Sequence, residues 1–224
     1  MQIMIGYKRI VDLSHRLIPG KEAFLLDLVS HNADEVVGHI KRRKDLWYIL
    51  QDIHMSSHVG THIELPYHHW KTGADASTFP IERLIGPACV LDFSHKRPYE
   101  MIERVELEKS PVHIEQGDIV FIQTGCDKFI NSDKMYDRPV MSTEAIQYLV
   151  DRGIHCIGTD ATGLELKGTD DQPNHQLLFK HNIPMVECAT NLEALSKERF
   201  FVTILPLAIQ GLDACPVRII AFEE

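Results

Sequence analysis

Residues 58–69 read His58-Val59-Gly60-Thr61-His62-Ile63-Glu64-Leu65-Pro66-Tyr67-His68-His69, four imidazoles and a carboxylate in twelve positions. Imidazole nitrogen and carboxylate oxygen suit zinc, manganese or iron. Donors this close in sequence let one short segment pre-set most of a coordination shell. A straight strand would hold His58 and His62 about 13 Å apart at ~3.3 Å per residue, near or beyond what two imidazoles can bridge. A helical turn would bring them to about 6 Å, yet Pro66 biases Leu65 away from helix and Gly60 adds backbone freedom. The expected shape is therefore a compact turn running into an extended exit. Alternate positions on that exit share a side, which puts Glu64, Pro66 and His68 together and points His69 away.

The rest of the chain bounds what such a cluster can serve. With 224 residues, 44% hydrophobic and 25% charged, residues 1–224 read as a single globular domain with room for a substantial core. The formal net charge of −9 argues against nucleic acid as a partner, because a basic face is needed to displace counterions. Lys41-Arg42-Arg43-Lys44 is too short a run to reverse that and reads as a solvated patch. No apolar stretch approaches the ~20 residues of a membrane span, and the N-terminus shows no signal-peptide core, so a cytoplasmic protein with no membrane partner is expected. The five cysteines, Cys89, Cys126, Cys156, Cys188 and Cys215, form no Cys-x-x-Cys pair. They read as buried small hydrophobes, not as a disulfide framework or a thiolate zinc site.

Beyond residue 85, strand and helix signals alternate, which reads as an α/β domain. Pro87–Phe93 and Asp118–Thr124 are short apolar runs bounded by turn residues and read as buried strands. Ser142 or Thr143 caps a helix carrying Ala145, Ile146, Leu149 and Val150 at helical spacing, and Gly153 ends it. Ile154–Gly158 is the next strand, Gln176–Lys180 a helical stretch, and Pro184–Glu187 short and extended. Thr190-x-x-Glu193 reads as a capping box opening a helix through Leu195 and Lys197. Phe200–Leu205 reads as the last clear strand. The first eighty residues are less regular, with a strand at Ile10–Leu13 leading to a Pro19-Gly20 turn.

The opening segment resembles the His-x-Gly-Thr-His-x-Asp-x-Pro-x-His signature of the cyclase family, which includes bacterial kynurenine formamidase and isatin hydrolase. His58, Gly60, Thr61, His62, Pro66 and His68 fall in place, and Glu64 stands where the family has Asp. The likeness continues through Asp12-Leu13-Ser14-His15, Leu84-Ile85-Gly86-Pro87, Gly117-Asp118 leading to Thr124-Gly125, Gly158-Thr159-Asp160, and Gly211-Leu212-Asp213 with Pro216-Val217-Arg218. It implies a mixed β-sheet core flanked by helices, of the swivelling β/β/α kind, and a homodimer or higher homo-oligomer. It further implies a metal site in which His175 and Glu187, twelve residues apart, join His58, His62 and Glu64 around one or two zinc ions, with manganese as the alternative. If the family's Asp bridges two ions, the longer Glu64 must bend back or bind only one.

The reaction implied is metal-dependent hydrolysis of an amide bond, an arylformamide such as N-formylkynurenine giving amine and formate, with His68 as the proton-transfer group. An isatin-hydrolase-like enzyme of cyclic amides or lactones is the alternative, and a non-catalytic metal-binding homologue the reading from another class. No Gly-x-Ser-x-Gly elbow offers a protein nucleophile instead. Trp70, Tyr67, Trp47 and Phe79 are candidates for lining a small-molecule pocket. His54, His69, His95, His113, His155 and His181 read as structural.

Overall fold

Both faces of the central strands are apolar, and each face finds its own cover. The computed structural model describes residues 6–224 except 42, 44, 167 and 170. In chain order the strands are β1 (Arg9–Asp12), β2 (Leu26–Asn32), β3 (Ile49–Met55), β4 (His62–Glu64), β5 (Ile85–Asp92), β6 (Met101–Ile102), β7 (Ile119–Gln123), β8 (Val140–Met141), β9 (Cys156–Thr159), β10 (Met185–Glu187), β11 (Arg199–Leu205), β12 (Ala214–Pro216) and β13 (Arg218–Glu223). The helices are α1 (Ala33–Val36), α2 (Arg104–Glu108), α3 (Thr143–Arg152) and α4 (Pro173–Lys180). Nine strands form one mixed sheet in the order β1-β13-β11-β5-β7-β9-β10-β4-β12. The run from β5 to β10 is parallel, and the flanks are antiparallel. This is the α/β class expected, a mixed sheet flanked by helices.

The period-two alternation of strands divides the core. Ile119 and Phe121 of β7 join Ala88, Val90, Ile63, Val186 and Cys215 on one side of the sheet. Val120 and Ile122 join Ile146 and Leu149 of α3 and Leu178 and Phe179 of α4 on the other. Each of the Val, Leu, Ile and Phe side chains among them contributes about 1.5–3 kcal/mol by burial. Gly158 of β9 lies opposite Phe121, and a Cβ there would stand 2.6 Å from the Phe121 ring. Helix α3 ends as its sequence dictates: Ser142 Oγ accepts from Ala145 N at 3.2 Å, and Gly153 closes the helix with φ 70°. All five cysteines are buried and unpaired.

Three expectations need correction. The capping box at Thr190 does not form, because the Thr190 hydroxyl donates to Asp127 Oδ2 at 2.7 Å instead. Only a single 3₁₀ turn, Leu192–Ala194, follows, and the N–H groups of Ser196 and Lys197 are drawn to Glu223 Oε1. Phe200–Leu205 is not the last strand either. The run after Val217 alternates buried Ile219, Ala221 and Glu223 with more exposed neighbours, and β13 inserts between β1 and β11. Finally, the irregular N-terminal region holds an antiparallel two-stranded ribbon of β2 and β3. Of the basic run, Lys41 and Arg43 are exposed, while Arg42 and Lys44 lie outside the described residues. No helix among the described residues is long and apolar enough to cross a membrane.

Candidate metal centre

The motif begins as a turn and ends as a turn, with one short strand between. Gly60 has φ 62° and packs against Leu17, where a Cβ would collide with the side chain, so a larger residue there would be strained and Leu17 would have to move. Thr61 Oγ1 then ties the strand to Cys188 O at 2.5 Å. On β4 the pleat sends Ile63 into the core and turns His62 and Glu64 to the opposite side. Its neighbour β10 places Glu187 across from His62 and Met185 across from Glu64, so His62, Glu64 and Glu187 share one face. Leu65 is extended before Pro66 (φ −115°, ψ 161°), and Pro66–His68 winds into a 3₁₀ turn. The extended exit therefore stops at Leu65. His68 reaches the cluster through the turn, not by strand alternation, and His69, expected to point away, stacks its ring on His175 at 5.5 Å and 9°.

His175 enters from the first turn of α4, which opens on Pro173 at a position where the missing N–H costs nothing. Glu165 Oε1 accepts from Asn174 N at 2.6 Å and His175 N at 3.0 Å, capping the helix, and lies 3.2 Å from His175 Nδ1. The Nδ1 atoms of the other three imidazoles are also engaged. His62 Nδ1 donates to Gly60 O at 2.9 Å, His58 Nδ1 lies 3.0 Å from Ser57 Oγ, and His68 Nδ1 lies 2.8 Å from Asp213 Oδ2. All four Nε2 atoms consequently face inward. Those of His58, His62 and His68 stand 3.2, 3.8 and 3.9 Å from Glu64 Oε1, and that of His175 stands 3.3 Å from Glu64 Oε2. Glu187 lies 3.8 Å from His62 Nε2 and 3.7 Å from His175 Nε2.

These are contacts between acceptors. With the ring protons committed to the outer partners, His58 Nε2, His62 Nε2 and Glu64 Oε2 are buried without a hydrogen-bond partner, a costly arrangement unless a cation sits among them. His58, Glu64 and His68 form one group able to hold an ion, and His62, Glu64 and Glu187 a second. Protons are the alternative occupants. Burial disfavours a charged His175, yet Glu165, Glu187 and Glu64 push it up to about 11. Burial alone would raise the Glu64 carboxyl, but His175, His58 and His62 hold it well below the usual carboxylate range.

The profile of the cyclase family matches residues 11–166. The chain belongs to the cyclase family. Within it, the chain is 29% identical to the kynurenine formamidase of Bacillus thuringiensis (strain Al Hakam) over 164 residues, 73% of this chain and 75% of that protein. It is 30% identical to the isatin hydrolase of Roseibium aggregatum over 194 residues, 75% of this chain and 72% of that protein. The fold matches an isatin hydrolase bound to the product analogue thioisatinate with a TM-score of 0.80 at 20% identity, covering 95% of this chain and 91% of that one.

In this cyclase-family chain the Nε2 atoms open into a cavity of about 220 Å³ whose other walls include Phe24, Met135, Tyr136, Arg138 and Gln172. None of the four aromatic candidates reaches it. Phe79 is buried in the core, and Trp47 is 85% exposed ahead of β3. Tyr67 does not line the cavity, and Trp70 lines a separate groove with Pro66 and Phe179. Cys188 also borders the cavity, and burial with the nearby Glu187 and Glu64 pushes its thiol well up. Buried Arg138 donates to Thr162 O at 2.6 Å and Glu165 O at 2.7 Å, bracing the loop that carries Glu165. Asp213, Ser57, Glu165 and Arg138 were not singled out from sequence. Only Asp213 left a trace there, inside the Gly211-Leu212-Asp213 stretch.

Proposed function

We propose that this cyclase-family chain is a metal-dependent hydrolase that opens the C–N bond of a small aryl amide, of the N-formylkynurenine kind, releasing amine and formate. One observation carries the reading: four imidazoles whose Nδ1 atoms are tied outward and whose Nε2 atoms converge on a single buried carboxylate. His58, His62, Glu64, His175 and Glu187 would hold one or two divalent ions, a nitrogen and oxygen set open to both zinc and manganese. A cation bound there supplies Lewis acidity, which acidifies water to a pKa near ~7 and polarises a carbonyl. His68, held by Asp213, presents a bare Nε2 toward the same space. It takes a proton from the attacking water and returns it to the departing nitrogen, so one water is consumed for each C–N bond broken. Phe24, Met135 and Tyr136 give an aryl ring an apolar wall.

A cyclic amide such as isatin is the second reading, favoured by the likeness to isatin hydrolase. A metal-binding homologue without turnover would not need His68 poised with a free Nε2. The test is to load the purified protein with zinc or manganese and assay formanilides, N-formylkynurenine, isatin and lactones. Formate released in step with arylamine is expected, and hydrolysis of isatin alone would shift the assignment to the second reading. No turnover on any substrate at full metal content would overturn both.

The proposed macromolecular partner is a second copy of the chain, seated on the β2–β3 ribbon. Leu25, Leu28, Trp47, Tyr48, Ile53 and Met55 are 37–85% exposed there.

A further inference from the structure

His58 and His68 stand on the same side of Glu64, and one further carboxylate secures both. Asp213 is fixed in place by backbone, since its carbonyl accepts from Leu65 N at 3.0 Å and its successor Ala214 pairs with Glu64 across the sheet. Its Oδ2 meets His68 Nδ1 at 2.8 Å, and its Oδ1 accepts from Ser57 Oγ at 3.0 Å. The Ser57 hydroxyl has a single proton. With that proton given to Asp213, the Ser57 oxygen is left to accept from His58 Nδ1 at 3.0 Å. An ionised carboxylate has no proton to offer. Both imidazoles must then carry their proton on Nδ1 and present Nε2 bare toward Glu64.

We propose that Asp213 is the positioning residue of this site, setting the tautomer and direction of His68 directly and of His58 through Ser57. One imidazole is thereby readied to take a proton and the other to hold a cation. The effect on turnover rests on the hydrolase reading, whereas the effect on the tautomers does not. Asparagine is the informative replacement because it keeps the shape and adds a donor. An Asn amide aimed at His68 Nδ1 forces the proton to Nε2. If the amide is turned the other way, it feeds Ser57, whose hydroxyl proton then swings to His58 Nδ1 and moves the wrong tautomer to that ring. Asp213→Asn must disturb one of the two.

The experiment compares wild type, Asp213→Asn, Asp213→Glu and His68→Ala. It measures kcat and KM on the best amide substrate, bound zinc, and ring-nitrogen shifts by long-range proton–nitrogen correlation of ¹⁵N-histidine-labelled protein. In the Asn variant, His68 or His58 should exchange its protonated nitrogen. With His68 switched, kcat falls about 10²–10⁴-fold at nearly constant KM and full zinc, as expected of a wrongly protonated base. With His58 switched, zinc is lost. Asp213→Glu, which retains an acceptor, should recover most of the wild-type spectrum. Unchanged ring-nitrogen shifts in Asp213→Asn would overturn the proposal. Unchanged kcat in His68→Ala would instead remove the hydrolase role of His68, and the spectra would still decide whether Asp213 sets the tautomers.

Discussion

Glu64 is one methylene longer than the Asp of the signature it resembles, and the structure shows where the length goes. Its two oxygens face different imidazoles, Oε1 toward His58 at 3.2 Å and Oε2 toward His175 at 3.3 Å, so the longer arm still reaches both halves of the cluster. Glu64→Ala should therefore weaken metal retention at both groups, by at least ~100-fold, because removing a shared carboxylate takes negative charge from each cation. Glu64→Asp should keep a working site. Metal titration followed by elemental analysis checks this, and full metal content in the Ala variant would exclude Glu64 as a ligand. His68→Ala should retain the metal held by His58, His62, Glu64, His175 and Glu187 and lose about 10²–10⁴-fold in kcat, the usual share of a general acid or base. Metal loss in that variant would recast His68 as a ligand. His58, His62 and Glu64 were legible in the sequence because they are crowded together. Asp213 was not, since it lies 145 positions from the imidazole it binds, and a lone carboxylate carries no spacing signal.

At the scale of elements, local chemistry was readable where nothing competed for it. Ser142 and Gly153 delimited α3 because the Ser142 hydroxyl accepts from Ala145 N and Gly153 N reaches Val150 O, whereas Thr190 had a capping-box sequence but a carboxylate, Asp127, within reach at 2.7 Å. The turn at Pro66–His68 was missed for a related reason: Pro66 rules out helix at Leu65 yet suits the first position of a tight turn. On β9, Gly158→Ala would press a methyl into the Phe121 ring, and overpacking of this kind costs about 1–3 kcal/mol. A melting temperature lower by roughly 2–12 °C with unchanged metal stoichiometry is expected, and an unaltered melting temperature would mean that Phe121 yields without cost. The β2–β3 ribbon makes a different prediction. Leu26 pairs with Met55 and Leu28 with Ile53 on one face, while a two-stranded ribbon is marginal alone in water. Light scattering should give the mass of at least two chains, and Ile53→Glu should shift it toward one. A monomeric wild type would rule out the proposed second copy.

For the whole molecule, the fold gathers Glu64, Glu165, Glu187 and Asp213 around four imidazoles in a chain already carrying a net charge of −9, so positive charge is required there in one form or another. Without metal it comes as protons. Burial opposes the charged form of His62, but Glu64 and Glu187 outweigh it and raise its pKa, and the carboxylates around His175 push that group from the usual 6.5 up to about 11. A folded-state pKa raised above its unfolded value stabilises the metal-free protein fully below pH ~6.5 and loses that contribution as pH climbs toward about 11. A bound cation must displace those protons, because only unprotonated nitrogen coordinates. Affinity should therefore rise with pH, about tenfold per unit for each proton displaced. Between pH ~6.5 and ~8.5, one displaced proton corresponds to ~2.7 kcal/mol of added stabilisation by saturating metal. For a chain of this size that is roughly 5–10 °C. Melting curves with and without zinc at the two pH values should show the larger zinc-induced rise at the higher pH, and calorimetric titrations in buffers of different ionisation enthalpy should register proton release. A zinc increment that is flat or falls with pH would mean that the imidazoles are not the groups the cation replaces.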